Sequence, residues 1–151
     1  MPAVLPESWR EPAAAARIAL IGESYRRLLG RPLVEADSDP LAALWNAPLA
    51  IVAHGTEADP LFFFANRAAL TAFKANLAQI IGMPSRLSAE APDRAERQTL
   101  LERVSTRGFI DDYAGTRVNL TGERFRIEHA AVWNLIDAAG EVHGQAAAFA
   151  I

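Results

Sequence analysis

From residue 109 onward, polar and apolar positions alternate along the chain. Over residues 125–136 the odd positions Phe125, Ile127, Ala131, Trp133 and Leu135 are apolar, while Arg126, Glu128 and Asn134 fall among the even ones. A period of two predicts a long antiparallel strand with one face on a core. The turn-prone Asp137-Ala138-Ala139-Gly140 leads into a further strand over residues 142–151, so the two read as a hairpin. Upstream, residues 117–121 run into Thr121-Gly122, another tight reversal. The last third of the chain therefore predicts a three-strand meander.

The earlier pattern is mostly helical. Residues 1–11, with Pro2 and Pro6, read as a loose arm. Pro12 opens a helix over residues 12–29, where a missing N–H costs nothing, and Gly30 stops it. Ile18, Ile21, Tyr25 and Leu28 share one face of this helix, and Glu23, Arg26 and Arg27 the other. The apolar face either packs on its own domain or joins two chains. After a loop at 31–39, Leu41, Leu44 and Trp45 predict a short helix before Pro48. Strands follow at 49–54 and 61–65, joined by the turn 55–60. Asn66 then caps a helix whose pattern continues through Leu70, Phe73, Leu77 and Ile80 to Ile81, where Gly82 and Pro84 end it. Residues 88–93 form a loop, and Pro92 and Asp93 open a last helix with the stripe Leu100, Leu101 and Val104 before Gly108. The fold class is α+β: a five-stranded antiparallel sheet, helices covering one face, and an N-terminal helix.

Composition narrows the function classes. A chain of 151 residues, 51% of them hydrophobic, suits one domain with a sizeable core. A net charge of -3 and a pI near 5.6 argue against gripping nucleic acid by bulk electrostatics. Lys74 is the only lysine, and the arginine and alanine bias reads as codon usage. With no cysteine there is no disulfide, thiolate catalysis or cysteine metal site. No apolar run approaches the ~18 residues of a membrane span. Glu7, Arg10 and Glu11 stand where a signal peptide needs an apolar run, so the expected location is cytoplasmic.

Specific segments narrow the family. Residues 46–57 (NAPLAIVAHGTE), 59–70 (DPLFFFANRAAL), 84–90 (PSRLSAE) and 108–117 (GFIDDYAGTR) resemble a MEKHLA domain. So do residues 124–127 (RFRI), 132–137 (VWNLID) and 144–147 (GQAA), and the likeness covers most of residues 15–151. The chain departs from that pattern over residues 74–83. The resemblance implies a PAS-like sensory or regulatory module, divided into an N-terminal arm and flanking helix (1–40) and the domain proper (41–151). It offers no catalytic residue and no established ligand or cofactor.

Candidate chemistry is sparse. The three histidines are His54, His129 and His143. With a hairpin turn near Ala138-Ala139, His143 falls opposite Asn134 and His129 opposite Ala148. At ~3.3 Å per residue these two lie about 15 Å apart, so they cannot share a metal. Asp111-Asp112-Tyr113 offers a carboxylate and a phenol, with one aspartate expected to pair with an arginine such as Arg117. No nucleophile elbow, dinucleotide loop or P-loop occurs.

Any pocket is expected between the sheet and the helices over residues 66–104, where Ala131 and Ala147 leave room. The residues expected to contact a small molecule there are His54, Arg86, Tyr113, Trp133 and Gln145. Arg86 has the fork that clamps a carboxylate or phosphate, though it reads more readily as bonding loop carbonyls or a neighbouring acid, and Trp133 reads more readily as core. The first expectation is a ligand-binding module that forms a homodimer through the N-terminal helix and sheet. The alternatives are an interaction module with a filled core, or a small isomerase or hydrolase using Asp112 or His129 as base.

Overall fold

In a computed structural model, which describes residues 3–89 and 94–150, two sets of helices sandwich one antiparallel sheet. Helix α1 (Pro12–Leu29) begins at Pro12 and ends at Gly30, whose left-handed φ of 75° returns its N–H to Arg26 O. Helix α2 (Pro40–Asn46) is capped by Asp39, whose side chain accepts from Ala42 N. Strands β1 (Ala50–His54) and β2 (Phe62–Ala65) follow, then α3 (Arg67–Phe73) and the single-turn α4 (Leu77–Ile80). Helix α5 (Arg94–Arg107) leads into β3 (Phe109–Val118), β4 (Arg124–Ile136) and β5 (Val142–Phe149). The strand order is β2-β1-β5-β4-β3, with every neighbour antiparallel. The expected opening of α5 at Pro92 and Asp93 lies outside the described residues.

Directly paired residues of antiparallel strands project from the same face, so register and contacts together sort the side chains. On one face lies α1. The Trp133 indole N–H donates to Ile21 O at 3.0 Å, its ring meets Tyr25 edge-on at 4.9 Å, and Ser24 Oγ bonds both the N–H and C=O of Ile136. On the other face α3 brings Phe73 against Phe125 and Phe149, with centroids 5.3 and 6.1 Å apart.

Asn66 joins three elements. Its Oδ1 accepts from Ile51 N and Ala69 N, and its Nδ2 donates to Leu44 O and Leu49 O, all within 3.0 Å. The cap expected from the sequence is also the bond that fixes α2 to the start of β1.

Three sequence expectations need correction. The helical pattern over residues 66–81 is two helices, because Lys74 adopts the left-handed φ of 49° that closes α3 and Asn76 caps α4 afresh. The arm before α1 is not loose. A 3-10 turn at Glu7–Arg10 buries Trp9 against Trp45 and Phe64, at 5.7 and 5.1 Å.

Lastly, β4 does not keep one parity. Opposite β3 its register jumps between the pairs Gly115↔Ile127 and Tyr113↔Ala130, and His129 inside that bulge has φ 53°. One inserted residue reverses which positions face which side. Phe125 therefore lies with α3, whereas Trp133 lies with α1.

Candidate functional site

The face covered by α3, α4 and α5 is apolar through its centre, where Ala50, Val52, Phe149, Ala147 and Val132 occupy adjacent register positions. One polar rung crosses three strands at its end. His54 on β1 pairs with Gln145 on β5, which pairs with Asn134 on β4. The Gln145 amide donates to Asn134 Oδ1 at 3.4 Å. His54 Nδ1 lies 3.0 Å from Gly55 O, and since a carbonyl only accepts, Nδ1 is the donor in that contact. All three side chains are half-buried. Gly144 permits this rung, because a Cβ there would stand 2.1 Å from His54 O.

Tyr113, Gly115 and Arg117 follow one another on β3, on the same covered face as Phe125. The Tyr113 hydroxyl lies over Gly115, where a Cβ would come within 2.5 Å of it. Arg117 has its Cζ 5.7 Å from the Tyr113 ring centroid and donates from one terminal nitrogen to Ser88 Oγ at 3.3 Å. Its Nε is shut off from solvent and has no hydrogen-bond partner among the described residues. Desolvation pushes this guanidinium below its usual pKa, partly offset by Tyr113.

Of the residues singled out from the sequence, His54 and Gln145 are brought together, and Tyr113 shares their face on the edge strand. Trp133 lies beneath α1 on the opposite face, an outcome of the bulge at His129. Arg86 is exposed and ion-paired with Asp59 at 3.2 Å. Asp111 and Asp112 do not pair with Arg117: a bulge in β3 sends them outward, to Arg31 and Arg103 respectively. Asp112 and His129 are both exposed.

The expected register of the last hairpin is off by two. Asn134 meets Gln145 and Ala148 meets Ala131, because the Asp137–Glu141 turn is followed by an irregularity at Leu135/Ile136. Asp137, Glu141 and His143 bring ligand atoms within 4.8 Å of one another, but Asp137 already closes the turn by accepting from Ala139 N and Glu141 N. His143, hydrogen-bonded to Asp137 at 2.7 Å, holds that carboxyl below its usual pKa.

A well-defined concavity lies elsewhere. A groove of about 660 Å³ runs between α1, the 31–39 loop and α2, floored by Ile18, Gly22, Leu41 and Leu44. A smaller one of about 410 Å³ adjoins it along residues 46–49. Among the described residues no helix is long and apolar enough to cross a membrane.

The family model for the MEKHLA domain matches residues 15–151, from within α1 to the C-terminus. The chain belongs to the MEKHLA domain family. No curated protein matches it. Solved structures place this MEKHLA domain in the PAS and light-oxygen-voltage fold. A PAS domain from Colwellia psychrerythraea is 17% identical over 73% of this chain and 91% of its own, with a TM-score of 0.61. The light-state dimer of the fungal blue-light photoreceptor Vivid is 12% identical over 97% of both chains, with a TM-score of 0.60. A light-oxygen-voltage domain studied with a flavin analogue is 18% identical over 75% of this chain and 84% of its own, at 0.58. At such identities the likeness is one of fold.

Two residues of the covered face escaped the sequence reading. Asn134 stood among the even, outward positions until the bulge reversed them, and Arg117 was read as an ion-pair partner. The signal for Arg117 was present in its spacing, since Tyr113, Gly115 and Arg117 alternate with period two.

Proposed function

We propose that this MEKHLA domain is a PAS-type sensory or regulatory module. It binds a small molecule on the sheet face beneath α3–α5 and passes the bound state to a second copy of the chain. The observation that carries this reading is the polar rung His54–Gln145–Asn134 at the end of an otherwise apolar face. Small-molecule sites pair apolar walls with a few such orienting groups. The rung supplies amides that both donate and accept and an imidazole beside them, which suits a ligand with both donors and acceptors. With no cysteine in the chain, that ligand is held without a thiol adduct. The apolar face of α1 is spent on its own sheet, so the proposed homodimer uses the exposed side of α1 and the groove beside it.

The test compares native and denaturing mass spectra of protein purified from its native host. An extra non-covalent mass that disappears in Gln145→Leu supports the reading, and a bare chain in every preparation counts against it. A second reading, an interaction module with a filled core, is favoured by the Phe73–Phe125–Phe149 cluster. It predicts that bare mass.

A further inference from the structure

Burying an arginine is costly, because the guanidinium stays charged and cannot shed its proton as a carboxylic acid or lysine can. A chain that keeps one inside surrounds it with carboxylates or leaves it unmatched. Among the described residues no carboxylate is paired with Arg117: on the adjoining strand Glu123 is taken by Lys74 and Glu128 by Arg126. Among the described residues Arg117 has a serine hydroxyl and the flank of the Tyr113 ring as its partners, and its Nε is sealed without an acceptor. Yet Arg117 as a whole is only half-buried, so part of the side chain still reaches the surface. The phenol of Tyr113, folded over Gly115, lies on the same strand face.

We propose that Arg117 is an oxyanion receptor: the small molecule taken up on this face carries a carboxylate or phosphate group, which docks on the Arg117 guanidinium beside the Tyr113 hydroxyl. This rests on the reading that the face binds a small molecule, and gives that molecule its charge. The fork of an arginine is matched to planar oxyanions, and enclosure strengthens the pairing.

The test follows thermal stability and calorimetric binding of the full chain with sodium hexanoate, hexanamide and inorganic phosphate, all at equal ionic strength. Wild type is compared with Arg117→Gln and Arg117→Lys. Hexanoate or phosphate should raise Tm by a few degrees in a saturable way, while uncharged hexanamide should not. Arg117→Gln should fold with unchanged or higher ligand-free Tm and lose at least tenfold in anion affinity. Arg117→Lys should keep the charge but weaken binding through loss of the fork. A response to hexanoate alone assigns a carboxylate, and a response to phosphate alone a phosphate. No saturable anion effect, or an equal one in Arg117→Gln, overturns the proposal. If a co-purified ligand proves uncharged and survives in Arg117→Gln, the anion proposal fails while the ligand-binding function stands.

Discussion

Asn66 carries more of the fold than any other polar side chain described, since both ends of its amide are used twice in a fully buried site. Asn66→Ala leaves two buried N–H groups and two carbonyls short of partners, and should cost about 3–5 kcal/mol in urea unfolding. Asn66→Asp keeps the two acceptor contacts but sets a carboxylate against Leu44 O and Leu49 O, so it should be nearly as damaging. Charge acts more gently at the surface. Glu123, bonded first by Lys74 and then by Thr121 and Asn119, has its pKa pushed down to about 2. A depressed carboxylate pKa stabilises the fold fully above its ordinary value and loses that contribution as pH falls through the folded one. Stability should therefore fall between pH 5 and 2, and Glu123→Gln should flatten that limb in denaturation midpoints taken across this range.

At the scale of elements, the sheet depends on two backbone irregularities. His129 holds φ 53°, a conformation costly for any residue with a Cβ. His129→Gly should raise stability by about 0.5–1 kcal/mol, and His129→Val should lower it by at least as much. Gly144→Ala would drive a Cβ into the His54 carbonyl of the adjoining strand, and should cost about 3 kcal/mol or more or part β1 from β5. Chemical denaturation of these three variants checks all of it.

The same elements show how far the sequence could be read. Helix α1, its two ends and the five strands were legible, because Pro12, Gly30 and the apolar periodicities act locally. The bulge at His129 was not. From Ala130 to Trp133 every residue is buried, since α1 covers one face and α3–α5 the other, so no alternation is left to betray the parity. Lys74 ends α3 in a left-handed turn that no glycine announces. The place of Arg117 on the covered face was legible in the spacing of Tyr113, Gly115 and Arg117, but its lack of a partner was not, since a sequence records a charge and not what stands beside it.

For the whole molecule, two regions compete for a role. The groove between α1 and α2 encloses about 660 Å³ and lies where a second copy is proposed to dock. Light scattering at micromolar concentration should give about twice the 16.3 kDa chain mass, and a single-chain mass counts against the dimer. The covered face carries the rung of hydrogen-bonding groups and the unmatched arginine. The central claim is that this face is where a ligand binds. Nitrogen–proton NMR spectra of protein as purified from its native host, set against the same protein stripped by unfolding and refolding, test it most directly. The account predicts that the side-chain amides of Asn134 and Gln145 and the backbone of His54 change, while Ile18, Leu33 and Leu41 along the groove do not. Changes gathered along that groove, or identical spectra, would contradict it.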